Sequence, residues 1–253
     1  MKYAIVNNEK SEAAPRLKGF CQFCGSPVIS KCGSLKIWHW AHCNDSNCDP
    51  WHENETEWHQ KWKNCFPVQN QEIIHYDEMN NEKHIADVKT NNGMIIEFQN
   101  SPIKYSELQA REKFYKNMFW IVNASVFKNF KILERVPNPE SLEMQNISLW
   151  MPINEKCYTG YHLVSELDEN DGMIECYCAE KFRIKAIEEN SEFYFYYWER
   201  PREVWYDAIK PVFFDFNDEY LYLLKKYPRQ RFKCLRGILK KELIEKNGGY
   251  FYN

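Results

Sequence analysis

The segment HIADVKTNNGMIIEFQNS, residues 84–101, brings Asp87, Glu97 and Gln99 into one short stretch of alternating sequence. Two carboxylates and an amide at this spacing suit a hard divalent cation. Magnesium or manganese takes oxygen ligands from one or two carboxylates and completes its shell with water. Metal-assisted phosphodiester hydrolysis needs such acids, a polar group beside the attacking water and a positive group at the phosphate. In that scheme Asp87 and Glu97 ligate the metal and Gln99 orients the water or offers its carbonyl. Glu55 holds a water from the side of a preceding helix, and His59 or Lys61 touches the phosphate. The competing reading is ordinary: Asp87 and Glu97 are exposed charges on a half-wet sheet, paired with Arg111 and Lys89.

The turn decides where these side chains point. A three-residue loop, Asn91-Asn92-Gly93, with Gly in the left-handed position makes Thr90 and Met94 the closing pair. Counting back sets Asp87 opposite Glu97, with Gln99 on their face and Ala86, Val88, Ile96 and Phe98 on the other. A two-residue turn would slip the register by one and break that separation.

Around the hairpin, Asp49-Pro50 reads as the start of a helix through Asn64, with Asp as N-cap and Pro at the first position. Glu55, Trp58, His59 and Trp62 then share one side of it. A strand over 72–76 follows, then the hairpin. Ser106 is expected to cap a second helix, in which Glu107, Arg111 and Tyr115 stand four apart, and FWIVN at 119–123 reads as a buried strand. Between 50 and 123 the order is helix, three strands, helix, strand.

Upstream, CQFCGSPVISKCGSLKIWHWAHC carries Cys21, Cys24, His39 and His42, spaced C-x2-C, fourteen residues, H-x2-H. Zinc takes four nitrogen or sulfur ligands in a tetrahedron, and a C-x2-C knuckle supplies two thiolates from one turn. Cys32, Cys43 and Cys48 are alternative third and fourth ligands. A site closed by four protein ligands is structural.

Charge is nearly balanced, 33 Lys and Arg against 36 Asp and Glu, so no global basic field marks a nucleic-acid binder. The local exception is 225–246, with nine Lys or Arg against two Glu. Lys225, Lys226, Arg229, Arg231 and Lys233 there, with Lys61 and Arg111, are the candidates for phosphate contact, although such a run is commonly a solvated helix face. No apolar run is long enough to span a membrane, and the N-terminal apolar stretch is too short for a secretion signal. Ten cysteines without that signal point to a reduced, cytoplasmic setting. Three segments are expected: a Cys/His module over 1–49, an α/β core over 50–130, and an aromatic-rich, β-rich region over 131–253 with a basic end.

In order and spacing, FCQFCGSPVISKCGSLKIWHWAH, ETEWHQKWK, IADV and IIEFQNSPIKYSELQAREKFYKNMFWIV resemble the competence protein CoiA-like family. That family is assigned to the PD-(D/E)XK nuclease superfamily, and the likeness covers roughly residues 18–125. It implies the fold class α/β, a restriction-endonuclease-like α-β-β-β-α-β core after an N-terminal zinc-finger-like module. It also implies that Asp87 is the metal Asp and Glu97 the acid of the (D/E)XK element. Gln99 stands where the superfamily usually has Lys. A Lys adds positive charge to the transition state, whereas a neutral Gln can only align water. The first expectation is a Mg2+- or Mn2+-dependent DNA nuclease with structural zinc, acting in DNA processing beside a recombinase or another DNA-processing protein. The alternatives are a catalytically silent DNA-binding accessory protein on the same fold, and a protein–protein adaptor built on the zinc module.

Overall fold

The computed structural model describes residues 1–44, 48–51, 53–141, 147–150, 162–165, 176–177, 190–226 and 233–251. The chain divides into two compact units that do not follow the three consecutive segments expected above. The first joins Met1–Ala124 with Arg202–Asp215 and Lys240–Asn253; the second joins Ser125–Pro201 with Phe216–Leu239.

The first unit opens with an antiparallel sheet. Its strands are β1 (Tyr3–Val6), β2 (Glu9–Glu12), β3 (Lys18–Phe20), β4 (Pro27–Lys31) and β5 (His39–His42), in the order β2-β1-β3-β4-β5. Met1, Ala4, Cys21, Val28 and Trp40 form its small core. Next come α1 (Glu57–Asn64), β6 (Gln71–Asp77), β7 (Glu82–Lys89), β8 (Ile95–Gln99), α2 (Tyr105–Tyr115) and β9 (Met118–Asn123). The order helix, three strands, helix, strand is therefore present. β6, β7 and β8 pair antiparallel, and β9 adds parallel to β8, so that its apolar run is buried along its whole length.

In the second unit, β10 (Phe130–Val136), β11 (Ile147–Trp150), β12 (His162–Ser165), β13 (Cys176–Tyr177) and β14 (Phe193–Trp198) precede the strand β15 (Val212–Asp215), which belongs to the first unit. β16 (Tyr220–Lys226) and β17 (Lys233–Leu239) follow, and α3 (Lys240–Lys246) returns to the first unit. Strands pair antiparallel in the orders β10-β14-β17-β16 and β11-β12-β13. Ring stacking of Phe130 on Tyr196 and of Phe127 on Trp198 uses the aromatic content there.

The late segments complete the first unit. β15 pairs parallel with β9 through Val212↔Trp120 to Asp215↔Asn123. Asp215 is buried and accepts the indole N–H of Trp58 and of Trp62, each at 2.8 Å, and Lys240 Nζ lies 2.6 Å from its other oxygen. Past α3, Tyr250 N–H donates to the carbonyl of Cys65 at 2.7 Å. A Cβ on the adjacent Gly249 would sit 2.5 Å from that same carbonyl oxygen, so this close approach needs glycine.

Two helix starts differ from the reading of the sequence. α1 begins at Glu57, and its cap is Thr56, whose hydroxyl accepts His59 N–H at 3.3 Å. Asp49 is not a cap for this helix, because its carboxylate is bound by Trp51 N–H, Ile85 N–H and His84. Glu55 thus precedes the helix instead of riding on it with His59. α2 begins at Tyr105 after Lys104, with no side-chain cap, so Ser106 lies inside its first turn.

The hairpin follows the longer-loop reading. Thr90 N–H donates to Met94 O and Gly93 N–H to Thr90 O, both at 2.9 Å, with Gly93 at φ +82°. The register Val88↔Ile96 and Lys89↔Ile95 continues to Asp87 opposite Glu97. Ala86, Val88, Ile96 and Phe98 are buried.

Candidate functional site

Three adjacent strands lay three carboxylates in a row. β6 and β7 pair through Gln71↔Val88 and Ile73↔Ala86, which sets Glu72 opposite Asp87, and Asp87 in turn faces Glu97 on β8. Glu72 holds φ +46°, a left-handed conformation that costs a non-glycine residue energy and that clusters at functional sites. The row lies beside a cavity of about 40 Å3, lined also by Glu53, His59, Lys63 and Arg111. A space of that size holds water. Glu97 is 2% exposed, so it is not a wet surface charge. Burial and the facing Asp87 push its carboxyl up to about 8 against the pull of Arg111.

Every oxygen of the facing pair has a partner. Asp87 Oδ1 lies 3.2 Å from Lys63 Nζ, and Asp87 Oδ2 accepts Phe98 N–H at 3.0 Å. Glu97 Oε1 accepts Asp87 N–H at 3.2 Å, and Glu97 Oε2 accepts Arg111 Nη1 at 2.8 Å. Lys63, not the suggested Lys89, is the cation on Asp87. Lys89 Nζ lies 3.4 Å from His75 Nδ1.

α1 explains how Lys63 arrives there. Positions 58 and 62 stack one face against Phe98 and Asp215, while 59 and 63, one step round, point at the hairpin. Lys63 Nζ donates to Glu55 Oε2 at 3.0 Å, with Oε1 at 3.3 Å, and to Glu72 Oε1 at 3.0 Å. Burial pulls the ammonium down, but Glu72, Asp87 and Glu55 together hold its pKa well above the ordinary lysine value. Lys61 lies on the opposite, exposed side of the helix.

Glu53, which the sequence did not single out, organises the far end of the site. Its carboxylate accepts His59 Nε2 at 2.9 Å, Gln99 Nε2 at 3.1 Å, Asn100 N–H at 3.0 Å and Ser101 N–H at 2.6 Å. Burial opposes the charge, yet His59, Ser101 and Asn100 bring the carboxyl down to about 2. A carboxylate only accepts, so it dictates that the amide nitrogen of Gln99 faces it. His59 Nε2 lies between Glu53 and the Phe98 carbonyl, two acceptors, and so carries a proton; Nδ1 lies 2.8 Å from the Thr56 hydroxyl. The ring is 3% exposed and both nitrogens are engaged, which removes His59 from the role of phosphate contact.

Glu72 also joins the site to the N-terminal sheet. It accepts Lys2 N–H at 2.8 Å and Tyr3 N–H at 3.0 Å. Burial opposes its charge, and Lys63, the Met1 ammonium and the Lys2 amide bring it down to about 2.

In that sheet, ligand atoms of Cys21, Cys24, His42 and Cys48 lie within 4.8 Å of one another, a set that could hold a metal such as zinc. Cys48, not His39, is the fourth member. His39 and His42 are three apart on β5, so they leave opposite faces of the strand, and His39 Nδ1 hydrogen-bonds the Ile37 carbonyl at 2.8 Å. Burial raises the Cys24 thiol, but hydrogen bonds from Ser26 and its contact with His42 bring it down to about 6. Burial and the Cys21 and Cys24 sulfurs push Cys48 up to about 12. Three thiols this close resist ionising together, and a cation removes that opposition.

Of the candidate phosphate contacts, Arg111 is buried between Glu97, Glu107 and the Trp51 carbonyl and does not face solvent. Lys225 pairs with Glu140 at 2.6 Å. Lys226 and Lys233 end paired strands, and Arg229 and Arg231 lie outside the described residues. No helix among the described residues is long and apolar enough to cross a membrane.

Residues 6–50 match the family described as competence protein CoiA, N-terminal domain. No curated protein and no solved structure matches the chain.

Proposed function

We propose that this protein is a metal-dependent DNA phosphodiesterase of the competence CoiA-like type. The supporting observation is the row Glu72, Asp87, Glu97 beside a small polar cavity, set on the order α1-β6-β7-β8-α2-β9 that the PD-(D/E)XK likeness implies. The match of residues 6–50 supports the competence assignment. Asp87 and Glu97 offer hard oxygen donors and would hold Mg2+ or Mn2+, which supplies Lewis-acid polarisation of the phosphate when bound. Arg111 fixes the rotamer of Glu97, and the Phe98 amide fixes Asp87. Gln99, its nitrogen held by Glu53, is left to offer its carbonyl to a water proton. The cysteine–histidine set would hold zinc as a structural ion in the sheet whose β1 donates Tyr3 N–H to Glu72.

A second reading, a DNA-binding accessory protein without catalysis, draws on one observation. All four oxygens of Asp87 and Glu97 are already engaged by this chain's own donors.

Cleavage of single-stranded, duplex and branched DNA with Mg2+ or Mn2+, wild type beside Glu97→Ala, separates the two. Cutting that the variant loses supports the nuclease. DNA bound but uncut by both proteins supports the accessory role.

A further inference from the structure

The ammonium of Lys63 lies within 3.3 Å of three carboxylates: it donates to Glu55 and Glu72 and pairs with Asp87 by charge at 3.2 Å. Lys63 and Glu72 are buried, while the Asp87 side chain keeps 23% exposure, so the cluster meets solvent at Asp87. An ammonium so surrounded has its charge balanced by this chain's own carboxylates. Its position reproduces what a hard cation does in an acidic site, neutralising oxygens contributed by separate strands and a loop. The anchor is rigid, because Trp62, the neighbouring residue on α1, is fixed by Asp215 and by stacking on Phe98.

We infer that Lys63 is a tethered cation that closes the carboxylate site, and that a divalent ion binds at Asp87 only by displacing it. This rests on the reading of Asp87 and Glu97 as metal ligands, and it adds a means of holding the site idle. Ion and ammonium compete for the same Asp87 oxygen, and two cations side by side in a buried space repel. Metal affinity of the wild type is therefore set low by an internal competitor, and removal of the lysine uncovers the site.

The test is Mn2+ binding to the zinc-loaded full chain, read from loss of the free-ion electron paramagnetic resonance signal. Lys63→Met is expected to bind Mn2+ at least about tenfold more tightly than wild type, since breaking a buried pair leaves charge uncompensated. Its melting temperature falls in metal-free buffer and recovers when Mn2+ is added, a recovery wild type does not show. The double variant Lys63→Met with Glu72→Gln keeps the charge balance and is expected to keep a smaller part of the gain, since the competitor for the Asp87 oxygen is gone. Equal Mn2+ affinity across wild type and both variants overturns the proposal. So does failure of both variants to fold with Mn2+ present, because the ion then cannot stand in for the ammonium. DNA cleavage measured on the same samples reports separately on the nuclease reading: tighter Mn2+ without cutting keeps the tethered cation and rejects catalysis.

Discussion

Glu53 Oε1 accepts the side-chain amide of Gln99 at 3.1 Å, while the same carboxylate takes His59 and two backbone N–H groups of the segment after β8. One residue from the approach to α1 thus fixes the end of the hairpin. Glu53→Ala leaves several buried donors unpaired and is expected to cost about 3–5 kcal/mol. Urea unfolding measures it, and a loss under about 1 kcal/mol would show that the clamp is dispensable.

Acid should loosen the site through the same group. The folded-state carboxyls of Glu53 and Glu72 lie near 2, below their ordinary 4.5. A depressed pKa stabilises above the unfolded value and is lost as pH falls through the folded one. Each contributes up to about 3 kcal/mol at neutral pH, lost between pH 4.5 and 2. Melting temperature followed from pH 6 downward should drop steeply in that window. Glu53→Gln should flatten the drop.

The metal set gives a sharp contrast between two neighbours. Cys48→Ser is expected to lower bound zinc well below one per chain, whereas His39→Ala retains it. Elemental analysis of the purified variants decides. Equal zinc loss in both would restore His39 as a ligand.

Asp215 is the acceptor for two indoles and the partner of Lys240. Asp215→Ala strands all three in a buried place, with an expected loss of about 3–5 kcal/mol. The red shift of Trp58 and Trp62 fluorescence should precede global unfolding in denaturant. A variant as stable as wild type would mean that α1 is held by apolar packing alone.

What the sequence made legible was local. Counting out from Asn91-Asn92-Gly93 placed Asp87 opposite Glu97, because a loop length and a period of two are both short-range properties. C-x2-C was equally plain as a pair of ligands in one turn. Glu72 escaped because its register depends on the turn over 78–81, which carries no comparable constraint. Asp49-Pro50 has the local signature of a helix start, but His84 and Ile85, far along the chain, claim the Asp49 carboxylate. Lys63 and Arg111 resemble surface cations by residue type. Their burial as counter-ions is set by tertiary pairing with Glu72, Asp87 and Glu97, and no periodicity records it.

The placement of Asp215 has a temporal consequence. Trp58 and Trp62 leave the ribosome 157 and 153 residues before their common acceptor. At about 5–20 residues per second, that gap lasts on the order of ten seconds. For that interval α1 has indole donors without their partner, and β9 lacks β15 along one side. A nascent chain stalled before Asp215 would present the acids of β6, β7 and β8 with α1 still unanchored at its two indoles.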